Sequence, residues 1–329
     1  LYVQENSPAK EVGLERGSLI IAANNKKINS SDLFYITAPE EAYLFTLGKF
    51  NETGFDTLQT VQMPAPRIVE NENLYKWNIF EVNGKNVAYI LYNEFGDNDT
   101  QNLSNMFSQL SGQTINDIVL DLRYNPGGYV NTAQLISTNL APQEAMGNVF
   151  LKMTHNDKIN RTDILNFEPG LLAGAASLNY ENLYIITSGN TASASEIVIN
   201  CLKPYMAGRL IQVGTATFGK NVAQQLYTDE VQAPMLEFWL TNSLLSNAED
   251  NSDYYTNGLL PDYEISENLK GELGELGTAQ DSLMIPILKH IETGSFPTAE
   301  TEETLSRNGH EKYNFNSSID IKPKSAILK

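Results

Sequence analysis

Short apolar runs alternate with helix-like segments between residues 87 and 213, an order that predicts an α/β fold with a mostly parallel central sheet. The strand-like runs are Val87–Tyr92, Asp117–Leu122, Leu183–Thr187 and Arg209–Val213. Thr100–Leu110, Val130–Leu140 and Ala194–Leu202 carry helical periodicity between them. The 329 residues suit two domains and leave ample material for a sizeable core. Trp77, Phe80, Tyr89 and Tyr92 sit at strand-like spacing and are expected in that core rather than in a ligand box.

Composition narrows the function classes. Apolar residues make up 41% of the chain and charged residues 19%, the balance of an ordinary globular protein. A net charge of −18 argues against nucleic acid as a partner, because gripping phosphate needs a basic face. Cys201 is the only cysteine, so neither an internal disulfide nor a thiolate metal cluster can form. His155, His290 and His310 lie far apart and lack metal-ligand spacing, so no metal or cofactor is expected. No apolar run is long enough to span a membrane. The sequence opens at Leu1 without a methionine or a signal-like segment, and is read as a processed piece.

The N-terminal stretch has its own local grammar. Ser7 can cap a short helix with Pro8 in its first turn, and Gly13 can end it. Gly17-Ser18 leads into the apolar strand Leu19–Ala23, and Asn24-Asn25 makes a hairpin turn. This pattern resembles the second half of a PDZ domain, with Ser18 in place of the usual Asp and Asn25 in place of the usual Gly. The rest of that module would be Asp32–Ala65, with the alternating stretch Ala42–Leu47. The resemblance implies a strand-adding, peptide-end-binding module whose carboxylate-binding loop precedes the part present. Pro64-Ala-Pro66 marks a boundary, which gives a PDZ-like domain at 1–66, a second domain at 67–293 and an extension at 294–329. Gly294–Lys312 reads as a loop, and Tyr313–Ile321 as an added edge strand.

Three loops follow three of the predicted strands, and the carboxyl ends of strands are where sites gather in open α/β sheets. Asp121-Leu-Arg-Tyr-Asn-Pro-Gly-Gly128 can turn backbone N–H groups toward an anion or a carbonyl oxygen; a plain tight turn is its ordinary reading. Thr191-Ala-Ser-Ala-Ser-Glu196 places a serine where a strand passes into a helix, with the next amide facing the same space; simple helix caps are the alternative. Thr217-Phe-Gly-Lys220 hems a lysine whose burial would favour the neutral amine, although a lone lysine is usually a surface residue. His155 has no triad-like neighbours in sequence, and Glu196 is expected to support its helix.

Together, in this order, the three segments resemble the carboxyl-terminal processing (tail-specific) proteases, over most of residues 7–290. The resemblance implies a crotonase/ClpP-like ββα catalytic core behind a partial PDZ domain, α/β in class and α+β overall. It also implies a serine endopeptidase that cuts protein or peptide substrates near their carboxyl termini through an acyl-enzyme. Ser193 maps to the nucleophile and Lys220 to the general base. Gln224 would orient the lysine amine, and the amides of Ala194 and of Gly128 or Gly127 would hold the oxyanion. Ser195 remains the competing nucleophile, because the Ser193–Lys220 spacing is slightly longer than the family's. The extra residues fit the loop Leu202–Gly208. Asn257–Asp262 matches a segment taken as structural.

Asn221 stands where the family carries glycine, a change that would narrow the site. It suggests the second reading, a peptide-binding scaffold with a decayed catalytic site. A third, an acyl-CoA enzyme of the same fold, lacks a basic phosphate-gripping cluster. The resemblance further implies an exported setting, a bacterial periplasm or cell surface, which a single cysteine permits.

Overall fold

A computed structural model describes residues 2–29, 42–51, 53–69, 72–174, 176–229, 231, 233–267, 273–298 and 326–328. The chain divides into two compact units, residues 1–71 with 267–321, and residues 72–266 with 322–329.

In the first unit, helix α1 (Pro8–Glu11) starts where expected: the Ser7 hydroxyl accepts from the Lys10 amide and Pro8 occupies the first turn. Strands β1 (Leu19–Ala23) and β2 (Lys26–Lys27) meet at Asn24-Asn25. Both asparagines have positive φ, 49° and 62°, as a two-residue hairpin turn of the tight type requires. With β3 (Leu44–Asn51) and β4 (Gly54–Gln62) they form a four-stranded sheet in the order β2-β1-β3-β4. Leu14, Phe45 and Leu47 are its buried apolar centre. Residues 30–41, part of the expected module, and the expected strand at 313–321 lie outside the described residues.

The second unit begins with the hairpin β5 (Leu74–Val82) and β6 (Lys85–Tyr92). Helix α2 (Thr100–Ser111), strand β7 (Asp117–Asp121) and helix α3 (Val130–Leu140) follow as the sequence predicts. Then come β8 (Val149–His155), β9 (Thr162–Asn166), β10 (Asn182–Thr187), helix α4 (Ala194–Leu202) and β11 (Leu210–Gly214). A long ribbon, β12 (Val222–Asp229) and β13 (Ala233–Ser246), precedes the short β14 (Tyr263–Glu264), and β15 (Ala326–Leu328) closes the series.

The main sheet has the order β14-β11-β10-β7-β6-β5 and is parallel throughout except for the β5–β6 edge pair. Its central strands are covered on both faces, which is why β7 and β10 carry continuous apolar centres, Ile118–Leu120 and Leu183–Ile186, rather than alternating ones. Helix α2 packs Leu103, Met106, Phe107 and Leu110 inward, one stripe at helical spacing. Truncating one of these to alanine is worth about 2–5 kcal/mol. Of the four aromatics expected in the core, Tyr89 and Tyr92 are fully buried, while Trp77 and Phe80 on β5 are half-buried.

A second sheet runs β15-β12-β13-β8-β9. Its outer ribbon exposes Tyr227, Leu236, Phe238, Trp239 and Leu240. Helix α5 (Met284–Thr293), ended by Gly294 in the left-handed region, belongs to the first unit, as does all of 267–321. Within that unit Arg16 donates to the carbonyls of Leu273 and Gly274 and pairs with Glu267.

Candidate active site

Strands β7, β10 and β11 are neighbours and run in the same direction, with Ile186 level with Asp121 and Thr187 level with Gly214. Their carboxyl ends therefore deliver the three sequence-flagged loops to one edge of the sheet.

The first loop is held from below by charge. Arg123 and Asp121 form a fully buried ion pair at 2.7 Å, and the Tyr89 hydroxyl donates to the same carboxylate. Asn125 then ties the loop in place: its Nδ2 donates to the Tyr92 carbonyl, and its Oδ1 accepts from the Gly127 amide. The Asn125 carbonyl accepts from the Ala192 amide and from the Ser195 hydroxyl, at 3.2 and 3.1 Å. Gly127 has φ +105°, and a Cβ added there would lie 2.7 Å from the Ser193 Cβ and 3.0 Å from the Ala194 nitrogen. Only glycine fits this contact between loops.

The second loop places Ser193 immediately before α4 with φ +58° and ψ −114°. Such a backbone is strained for serine and persists only when its surroundings over-determine it. Its amide donates to Glu196 Oε2 at 2.8 Å. Its hydroxyl is buried and, apart from a capping-box contact with the Glu196 amide, has no partner among the described residues, so its proton is donated to none of them. Ser195 differs on both counts, since it lies inside the helix and its hydroxyl is engaged by Asn125.

Glu196 joins the second loop to the third. Its carboxylate is fully buried and accepts four hydrogen bonds. Oε1 receives the Thr217 hydroxyl and the Gly219 amide, both at 2.6 Å, and Oε2 receives the amides of Ser193 and Lys220, both at 2.8 Å. One oxygen thus bridges the main chains of Ser193 and Lys220. Burial raises the Glu196 pKa, and these four donors oppose the rise. The support role expected of Glu196 therefore extends well beyond its own helix.

Lys220 is half-buried, and desolvation lowers its pKa, with the Glu196 charge acting the other way. The desolvation does not come from a buried Phe218, which is 51% exposed; Thr217 and Gly219 are the buried members of the motif. Gln224 lies on β12 and its Nε2 donates to Thr241 Oγ1. The Asn221 carboxamide donates to the Ser252 carbonyl, so this departure from the family's glycine is tied into the neighbouring loop. The segment 257–262 acts as a buttress. Leu259 exchanges backbone and side-chain hydrogen bonds with Thr217, and Asp262 pairs with the Gln212 main chain.

Two of the nominated oxyanion donors separate from the third. The Gly127 amide is committed to Asn125, whereas the amides of Gly128 and Ala194 donate to no group among the described residues.

His155 was not expected to have triad-like neighbours, yet the fold supplies them. Its Nε2 lies 2.8 Å from Asp163 Oδ2 and its Nδ1 lies 3.0 Å from Ser243 Oγ. The three come from β8, β9 and β13, and Ser243 faces His155 directly across the ladder. The Ser243 hydroxyl also lies 2.8 Å from Asn242 Oδ1.

The model of peptidase family S41 matches residues 86–265, a span that contains all three loops and both strands of the β12–β13 ribbon. The chain belongs to peptidase family S41. It is 31% identical over 229 residues to a carboxyl-terminal-processing protease of Picosynechococcus sp., covering 67% of this chain and 50% of that one. It is 26% identical over 230 residues to a carboxy-terminal processing protease of Bacillus subtilis, covering 67% and 43%. The S41 chain spans about half the length of these curated relatives. A crystal structure from Bacteroides fragilis assigned to the S41 proteases superposes with a TM-score of 0.77 at 31% identity, covering 89% of this chain and 77% of that one. A photosystem II D1 C-terminal processing protease shares the fold, with a TM-score of 0.52 at 19% identity.

Proposed function

We propose that this S41 chain is a serine endopeptidase in which Ser193 attacks and Lys220 is the general base. The carrying observation is Ser193: its buried hydroxyl donates to no described residue, and its positive-φ backbone is held by a carboxylate that also holds the Lys220 main chain. The neutral Lys220 amine takes the Ser193 proton, and Oγ bonds to the substrate's carbonyl carbon. The N–H groups of Gly128 and Ala194 hold the resulting oxyanion. Collapse breaks the C–N bond, and the leaving amine takes the proton from Lys220. Water then attacks the ester as Lys220 accepts its proton and returns it to Ser193. The Gln224 carboxamide oxygen accepts from the Lys220 amine and orients it.

The relatives' names carry the substrate class, polypeptides cut near their carboxyl termini; an exported setting is part of the same reading and rests on the family resemblance alone. The N-terminal unit is read as a PDZ-like peptide-binding module, supported by its capped helix and Asn-Asn hairpin. The Asn221 carboxamide donates to the Ser252 carbonyl, which supports an ordered rather than a decayed site. Hydrolysis of denatured casein tests the reading, and Ser193→Ala is expected to abolish it. Full hydrolysis by that variant would sink it.

A further inference from the structure

Strand β12 leaves the Lys220 loop with one edge paired to β13, and its other edge is not bare. Ala326, Ile327 and Leu328 pair with it in parallel, level with Ala223, Gln224 and Gln225. The same short strand also approaches α3, the helix that opens directly after Gly127-Gly128. It therefore lies along a track bounded on one side by the strand that follows the lysine and on the other by the helix that follows the oxyanion loop.

Polarity gives this placement meaning. In a parallel pair both chains run the same way, so β15 enters at the Lys220 end of β12 and its carboxyl direction leads away from the three loops. A polypeptide laid in the same register would have its upstream peptide bond nearer Ser193. Residues in the positions of Ala326–Leu328 would then be on the leaving-group side of the cut. Strand addition of this kind draws affinity from main-chain hydrogen bonds and tolerates varied side chains.

We propose that the Ala223–Gln225 edge of β12 is the docking track for the leaving-group side of an extended polypeptide, and that this chain's own Ala326–Leu328 segment occupies it as a tethered competitor. The inference rests on the Ser193–Lys220 reading for where the cut falls, but not for whether the track binds. A tethered segment acts at an effective concentration on the order of millimolar, and it weakens the apparent affinity of any competing chain by the ratio of that concentration to its own dissociation constant. The occupant it imitates is an extended chain that runs from a small residue into aliphatic ones.

The test reads binding in the full chain carrying Ser193→Ala, so that turnover does not enter. The probe is a fluorescently labelled peptide of sequence Ser-Ala-Ile-Leu-Lys, followed by anisotropy. Gln225 and Leu328 are register partners, and adjacent strands lie within disulfide reach, so the pair Gln225→Cys with Leu328→Cys should crosslink on oxidation. The oxidised protein is expected to lose peptide binding and to regain it on reduction. Ile327→Pro, which cannot sustain the ladder, is expected to bind the peptide about tenfold more tightly than the parent. No crosslink, equal binding by the oxidised and reduced forms, or unchanged affinity in Ile327→Pro would each overturn the proposal. With Ser193 restored, absence of turnover despite redox-controlled binding would instead sink the dyad and leave the track standing.

Discussion

The chain holds two serine-bearing polar constellations that look alike as diagrams and differ in every physical respect that matters. Asp163, His155 and Ser243 form an acid–imidazole–hydroxyl chain with short contacts. Ser193 has no such chain. Yet Ser243 sits within a strand, opposite His155 in the β13–β8 ladder, with its hydroxyl donating to Asn242 Oδ1 and held by His155 Nδ1. Ser193 sits at a strained junction with its hydroxyl proton donated to no described residue, and the amides of Gly128 and Ala194 likewise donate to none of them. Connectivity alone does not make a nucleophile. On the proposed reading, backbone strain, a hydroxyl that donates to no described residue and unclaimed N–H donors are what separate Ser193 from the cross-strand clamp at Ser243.

The largest way to break this contrast is Ser193→Ala, expected to lower kcat/KM by at least about 10⁴-fold with the thermal midpoint unchanged or raised. An equal loss from Ser243→Ala would invert the comparison. Gly127→Ala places a methyl group against Ser193 and the Ala194 amide, on a backbone alanine does not favour. Its expected cost is about 10²–10³-fold in kcat, the size of a lost oxyanion donor. Glu196→Gln turns an amide toward donors that need an acceptor, and is expected to destabilise the fold by about 2–4 kcal/mol as well as slow turnover. Denaturant midpoints together with peptide kinetics read both effects.

The pH profile sharpens the same point. The amine must be neutral to accept a proton, and burial disfavours the ammonium form. Activity should therefore rise with pH to a half-maximum below the ordinary lysine value of 10.5. Lys220→Arg should remove the rise, since arginine stays protonated. A half-maximum at or above the ordinary value would count against Lys220 as the base. The smallest effect is expected from His155→Ala: about 1–2 kcal/mol of stability from a broken buried network, with kcat within about twofold.

Much of this arrangement is written locally. Val130–Leu140 and Ala194–Leu202 are helices to the residue, because their apolar spacing agrees with the turns that begin them. The first two loops could be flagged because a strand, a small-residue turn and a helix follow one another in sequence, and the third because a lysine closes a small-residue turn after a strand. Glu196 could not be weighted correctly, since its donors come from residues 193, 217, 219 and 220 and meet only when β10 and β11 align. The His155 chain needs the register of three strands. The β12–β13 ribbon escaped because its apolar residues fall on both faces, where alternation gives no signal. The exposure of Phe218 was hidden for a similar reason: hydrophobicity does not say which way a loop residue turns.

The most direct test is to find which residue becomes acylated. The protein would be mixed with a p-nitrophenyl ester, quenched in acid before the ester turns over, digested, and the added acyl mass located by mass spectrometry. The account predicts the acyl group on Ser193, absent when Lys220 is replaced by alanine. Acyl transfer to Ser195 or to Ser243 would contradict it.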